Sequence, residues 1–96
     1  MIESWYDSWL KNYFEKDVYS KKIPADLRDR LFRKLQLIDD ATTEADLRVP
    51  LSNHFEKLSG KLEGWSSIRI NDQWRLVFRW SDGKAREIYL DDHSYR

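Results

Sequence analysis

The sequence predicts an α+β chain, with helices in its first half and an antiparallel β-meander in its last third. Two patterns predict this. Large apolar side chains alternate with other residues from Trp74 to Trp80, which is typical of a strand with one buried face. Between Leu27 and Ile38, apolar side chains instead recur at steps of three and four residues, which is typical of an amphipathic helix.

The first half contains two predicted helices. From Asp7 to Lys16 the aromatic and leucine residues fall at helical spacing, and Asp7 or Ser8 can cap the helix. The preceding residues, 1–6, fit either an edge strand or the lead into that helix. Pro24 suits the first turn of the second helix, which we expect to end near residues 39–41.

Shorter elements follow the second helix. Residues 42–47 resemble a capped single turn, with Thr42 or Thr43 as the cap, and Pro50 ends it. Residues 53–58 are expected to form a short extended run. No repeat, linker or low-complexity segment is visible.

The meander needs two turns, and both have suitable residues. Asn71–Asp72–Gln73 separates a run containing Ile68 and Ile70 from the Trp74 run, and Gly83 lies in a second turn before residues 88–90. We therefore expect one dry face of Trp, Phe, Leu and Ile, and one wet face of arginine.

Length and composition bound the class of protein. A chain of 96 residues is one domain with room for a single core. Cysteine is absent and no run is long enough to span a bilayer, so we expect a soluble cytoplasmic protein. The net charge is +0, but basic residues outnumber acidic ones between Lys57 and Trp80, which indicates a basic face.

Few kinds of chemistry fit the remaining residues. His54 and His93 are the two histidines, and no metal motif, phosphate loop or serine-nucleophile elbow is present. If residues 53–58 pair in the sheet, Arg75 lies near titratable groups on both sides. Arginine can hold a phosphate while His, Asp or Glu moves protons. RNA supplies its own 2′-OH nucleophile, so phosphodiester chemistry needs no metal here.

Structural explanations compete with this reading. Arg69, Arg75 and Arg79 would also serve as cross-strand partners of Glu87 or Asp91. The C-terminal residues 91–93 also fit a frayed polar tail. Tryptophans are usually core residues, although Trp65 follows a glycine-bounded loop and could be an exception.

Three stretches, residues 35–47, 58–80 and 88–93, resemble the HigB-type toxins of the RelE/ParE superfamily. The resemblance covers nearly the whole chain, 1–96. It implies a RelE-like α+β domain with N-terminal helices packed on one face of a small antiparallel sheet. It also implies a metal-independent, cofactor-free endoribonuclease that cleaves mRNA on the ribosome by 2′-OH attack. The expected partner is a HigA-type helix-turn-helix antitoxin.

The resemblance also implies roles for individual residues. Arg75 matches the family's phosphate-binding arginine and would stabilise the developing charge. Asp92 matches the aspartate of the family's C-terminal Asp-Tyr-His, so that His93, in the tyrosine position, would be a general acid or base oriented by Asp92. Glu56 stands where many relatives have histidine, and we expect Glu56 and Lys57 to act as base and electrostatic partner.

Further basic residues would contact the RNA backbone: Lys61, Arg69, Arg79 and Arg96. Two other functions stay open at this point. One is a non-enzymatic, ParE-like poison of a protein target such as gyrase, which needs no acid–base set. The other is an interaction module whose basic face serves only to dock an acidic antitoxin segment.

Overall fold

The computed structural model describes residues 1–92, so the predicted site residues His93 and Arg96 lie outside it. Within these residues the chain forms three α-helices, four strands and three short 3-10 turns. The helices and strands are α1 (Ser8–Lys16), α2 (Arg28–Asp40), α3 (Glu44–Leu47), β1 (Glu56–Lys57), β2 (Ser66–Arg69), β3 (Arg75–Ser81) and β4 (Lys84–Asp91). The 3-10 turns are Ala25–Leu27, Leu51–Asn53 and Gly60–Leu62.

The sheet is the predicted meander, with strand order β1-β2-β3-β4 and every pair antiparallel. Residues 1–6 extend along the edge of the sheet, which is the first of the two forms expected for them. They run parallel to β4 along its outer edge, where Ile2 is bridged to Ala85 and Trp5 to Ile88. This segment covers backbone groups that an edge strand would otherwise expose.

The helices pack on one face of the sheet, as predicted for an α+β fold. Leu31, Leu35 and Ile38 of α2 are fully buried, and Phe78 of β3 is fully buried beneath the helices. Each such side chain contributes about 1.5–3 kcal/mol of burial free energy. None of the helices in residues 1–92 has the length and apolar character that crossing a membrane requires.

The opposite face of the sheet is not the open, wet surface that the alternation predicted. Ser67 and Val77 are fully buried there, and Arg75 is 9% exposed. The ring centroids of Trp65 and Tyr89 lie 5.7 Å apart. Trp65 directly precedes β2 and Tyr89 lies on β4, so the two rings approach each other across β3, on the face that carries Val77. The wet face is therefore restricted to its margins.

The second hairpin turn depends on Gly83. Asp82 has a φ of 53° and Gly83 a φ of 73°, and two successive positive φ values are typical of a type I′ turn. A Cβ atom at Gly83 would lie 2.8 Å from the carbonyl oxygen of Thr42, whereas one at Gly60 (φ 65°) would meet nothing within 4 Å. The hairpin thus packs closely on the loop that follows α2.

We expect Gly83→Ala to destabilise the protein more than Gly60→Ala does. Both substitutions force alanine into the left-handed region, at a cost of roughly 1–2 kcal/mol. Gly83→Ala must in addition displace the backbone of Thr42. Urea denaturation midpoints of the two variants measure the difference, and equal midpoints would contradict the close packing.

The loop after α2 is held by a capping box at the start of α3. The Asp46 carboxylate accepts hydrogen bonds from the backbone N–H groups of Thr42 (3.0 Å) and Thr43 (3.1 Å), and the Thr43 hydroxyl accepts one from Asp46 N–H (3.3 Å). The two backbone hydrogen bonds are the main reason that the pKa of Asp46 is lowered.

We expect Asp46→Asn to lower stability at neutral pH and to have less effect in acid. The folded-state pKa of Asp46 is depressed, so its carboxylate stabilises the fold above the unfolded pKa of about 3.9. That contribution is lost as the pH falls through the folded-state value. Urea midpoints of both proteins at pH 7 and pH 3 should converge in acid, and a constant gap would refute this role.

Candidate active site

The candidate site lies on the sheet face that turns away from the helices. The strand register places Arg69 of β2, Arg75 of β3 and Asp91 of β4 in one row. Side chains of directly paired residues share a face of the sheet. Two guanidinium groups and a carboxylate therefore come from three neighbouring strands to the same side.

Arg75 is anchored by the first hairpin. Its Nη1 donates hydrogen bonds to the carbonyl oxygens of Asn71 (2.5 Å) and Trp74 (3.1 Å). Asn71 in turn shapes that hairpin, because its side-chain oxygen accepts from Gln73 N–H (2.9 Å) and Trp74 N–H (2.8 Å). The charge of Arg75 is thus held in a fixed, largely desolvated position, which favours stabilisation of a developing anion.

Glu56 reaches this face from β1. It pairs with Ser67, which pairs with Val77 and, through it, with Tyr89. This row is the neighbour of the arginine row, since Ser67 and Val77 lie two residues from Arg69 and Arg75. A half-buried carboxylate is therefore on the same side as the two arginines.

Lys57 is not brought to this face, contrary to its expected position beside Arg75. It pairs with Ser66, whose partner Phe78 lies in the helix-side core. Its Nζ lies 2.9 Å from the Glu44 carboxylate. Hydrogen bonds from Lys57 and Arg48 lower the pKa of Glu44. Adjacent strand residues point to opposite faces, so Glu56 and Lys57 cannot both face Arg75.

At the carboxyl end of β4, the register selects a different aspartate from the one the sequence indicated. Asp91 lies opposite Arg75, whereas Asp92 follows the strand and is exposed. His93, which Asp92 was expected to orient, lies outside the described residues. Alternation along β4 could have indicated Asp91. Asp91 is two residues beyond Tyr89, so the two side chains lie on the same face of the sheet.

His54, one of the titratable residues expected near Arg75 but not among the predicted site residues, lies beside the arginine row. Its side chain is exposed, and its Nε2 is 3.4 Å from Nη1 of Arg69. Its φ of 44° is unusual for a residue other than glycine. Arg69 also forms an ion pair with Asp72. The sequence signal for His54 was its position two residues before the strand that carries Glu56.

The remaining predicted RNA contacts lie at the margins. Arg79 stacks over the Trp65 ring at 4.7 Å and forms an ion pair with Glu87 at 3.0 Å, so the cross-strand pairing considered from the sequence is present. Lys61 is exposed in the 3-10 turn that precedes Trp65. Trp65 and Tyr89 provide half-buried aromatic rings between these cations and the arginine row.

The arrangement combines fixed positive charge with groups that can accept or donate protons. In the part of the chain that the structure describes, no group of three or more His, Asp or Glu side chains is placed to hold a metal ion. The groups that converge on this face are instead Arg69, Arg75, Glu56, Asp91 and His54. They suit an anionic ligand whose reaction requires proton transfer.

Comparison with solved structures supports the fold. A mutant of YafQ from E. coli superposes with a TM-score of 0.66 over 98% of this chain and 96% of the other, at 14% sequence identity. YafQ from E. coli strain BL21(DE3) gives a TM-score of 0.62 with the same coverage and 12% identity. At such identities the likeness concerns the fold alone.

Sequence relatives establish the family. The chain is 49% identical over 89 residues to Toxin HigB-1 of Vibrio cholerae, covering 93% of this chain and 94% of that protein. It is 36% identical over 93 residues to Endoribonuclease HigB of Proteus vulgaris, covering 97% and 99%. The HigB-like toxin family, described as the RelE-like toxin of the type II toxin–antitoxin system HigB, matches residues 3–93. The chain therefore belongs to the HigB-like family, and is a toxin of a type II toxin–antitoxin system.

Proposed function

We propose that this toxin is an endoribonuclease that cuts mRNA bound to the ribosome and thereby stops translation, without a metal ion or other cofactor. The observation that carries the proposal is the row of Arg69, Arg75 and Asp91, flanked on one face by Glu56 and His54. The endoribonuclease activity in the name of the Proteus vulgaris relative supports the same reading.

The proposed reaction is an internal displacement at phosphorus. A base removes the proton of the 2′-OH, and that oxygen bonds to the adjacent phosphorus while the bond to the 5′-oxygen breaks. A proton returns to the 5′-oxygen, so the products are a 2′,3′-cyclic phosphate and a 5′-hydroxyl end. Arg75 holds the phosphate and stabilises the charge that develops on its oxygens.

Three groups are proposed for proton transfer. Glu56 is the base on the sheet, and His54 is a second group beside Arg69. His93, oriented by Asp92, remains proposed from the family pattern. Lys61, Arg69, Arg79 and Arg96 are proposed to contact the RNA backbone, with Trp65 available to stack on a base.

We infer that the antitoxin partner is a HigA-like helix-turn-helix protein and that the toxin acts in the cytoplasm, where ribosomes and mRNA are found. Membership of a type II toxin–antitoxin family supports the existence of an antitoxin. Binding of that antitoxin also provides a test that a toxin variant has retained its fold.

We expect Arg75→Lys to lower the rate of mRNA cleavage by about 10²–10³-fold, because lysine keeps the charge but lacks the planar fork that grips a phosphate. The measurement uses purified protein, ribosomes and a defined message, with the 5′-hydroxyl ends mapped.

Thermal unfolding and antitoxin binding should show that Arg75→Lys is folded; this control is needed because the buried Arg75 side chain also supports the hairpin. Full cleavage by the folded variant would exclude Arg75 as the phosphate ligand. An uncut message in the presence of the wild-type toxin, together with inhibition of gyrase, would favour the ParE-like alternative.

Glu56→Gln and Lys57→Gln are a matched pair of neighbours on opposite faces. We expect Glu56→Gln to lower the cleavage rate by about 10²–10⁴-fold, the usual contribution of a general base. Lys57→Gln should change it by less than about threefold, because its ammonium is paired with Glu44 on the other side. Equal losses for the two variants in the same cleavage assay would reject the assignment of Glu56.

A further inference from the structure

A second basic site lies beside the candidate active site, and apart from Arg69 its cations have no part in the function proposed above. It is a cleft of about 640 Å³ between α2, the chain around Pro50 and the first hairpin. Its cations are Arg30, Arg33, Lys34 and Arg69, which we call the cleft cations. Asp72 is the single carboxylate among its lining residues, and it is paired with Arg69.

The three α2 members of this group are concentrated on one side of the helix. Residues at positions i, i+3 and i+4 are neighbours on a helix surface, so Arg30, Arg33 and Lys34 lie together. Like charges at this spacing repel each other by a few tenths of a kcal/mol per pair. Within residues 1–92 none of the three takes part in an ion pair, whereas five cations elsewhere are paired with carboxylates: Arg48, Lys57, Arg79, Lys84 and Arg86.

Lys34 is held in place by a neutral group. Its Nζ donates to the side-chain oxygen of Asn53 at 2.5 Å. Asn53 is fully buried, and its amide donates to the carbonyl oxygens of Leu47 (3.1 Å) and Val49 (3.2 Å). The ammonium is therefore positioned without being neutralised. Burial is the main reason that the pKa of Lys34 is lowered, and the charges of Arg30 and Arg33 lower it further.

Arg69 joins this cleft to the candidate active site. It lines the cleft, and it also lies directly opposite Arg75 in the sheet. Directly paired residues on adjacent strands are about 4.5–5.5 Å apart at Cα. A nucleic-acid chain with one phosphate at Arg75 can therefore continue past Arg69 into the cleft. This continuity favours a polynucleotide over an isolated acidic peptide.

We propose that the cleft cations bind backbone phosphates of RNA beside the candidate active site, so that Arg30, Arg33 and Lys34 form a second phosphate-binding site. This inference rests on the proposed function, because that function is the reason for choosing RNA as the ligand. Arginine forks match phosphate oxygens, and the two donors of Lys34 that Asn53 leaves over can reach a further oxygen. The phosphates belong either to the substrate strand or to ribosomal RNA, which share this chemistry.

The test compares two triple variants with the same loss of charge. One is Arg30→Gln/Arg33→Gln/Lys34→Gln, in which glutamine at 34 can still donate to Asn53. The matched control is Lys11→Gln/Lys16→Gln/Lys21→Gln, three exposed cations outside the cleft that form no ion pair within residues 1–92. The probe is a short 2′-O-methyl RNA, which the toxin cannot cleave, titrated at several salt concentrations.

We expect the cleft variant to give a plot of log K against log salt that is shallower by about 2, because each phosphate contact with a single strand contributes about 0.7. The control should keep the wild-type slope. Both variants are also sedimented with message-free ribosomes. If the cleft variant binds the short RNA more weakly, the phosphates belong to the substrate strand. If it binds only ribosomes more weakly, they belong to ribosomal RNA.

The proposal is overturned if the cleft variant and the control variant bind the short RNA and the ribosomes equally well. It is also overturned if the cleft variant keeps both RNA interactions but loses binding to polyglutamate, which would make the cleft a site for an acidic protein. Because the RNA cannot be cut, binding is scored apart from cleavage. If the cleft variant gives a shallower slope but the wild-type toxin cuts no message, the RNA site in the cleft stands and the nuclease proposal fails. If the wild-type toxin cuts its message but the slopes are unchanged, the nuclease proposal stands and the cleft proposal fails.

Discussion

The pairing register of β3 is the constraint on which both the core and the candidate site depend. Leu76 and Phe78 enter the helix-side core, and Arg75 and Val77 go to the other face. A shift by one residue would exchange the two sets, and would bury an arginine among leucines. The hairpin that positions Arg75 also fixes this register, because Asn71 accepts hydrogen bonds from the backbone at its end. Folding and anion binding thus depend on the same turn.

Charge is distributed so that positive groups remain uncompensated in one region. The net charge is +0, yet carboxylates are engaged elsewhere, for example Glu3 with Lys84 and Arg86. Around Arg69 the balance differs, because among the described residues Asp72 is the only acidic one that lines the adjoining cleft. A neutral protein can therefore present a strong local field for a polyanion, which the total charge conceals.

The sequence was sufficient for elements whose pattern is local. The α2 helix and the meander follow from the spacing of their apolar residues, and both are present. The side-chain positions at the site were harder to predict, because they depend on pairing between residues that are distant in the sequence. Glu56 and Lys57 were both assigned to the arginine face before the register showed that they alternate. The bulge near Glu87, with its φ of 54°, also adds a residue to β4, so Ala85 and Ile88 share a face although they are three apart. Alternation alone could not indicate this.

The two margins of the sheet restrict how another chain can attach to it. Residues 1–6 already occupy the outer side of β4, and β1 at the far side is two residues long, Glu56–Lys57. A partner that approached as an additional strand would find little backbone to extend. Within residues 1–92, the surface left for another protein therefore consists mainly of side chains displayed by helices, loops and sheet faces, where sequence can change without disturbing the backbone ladder.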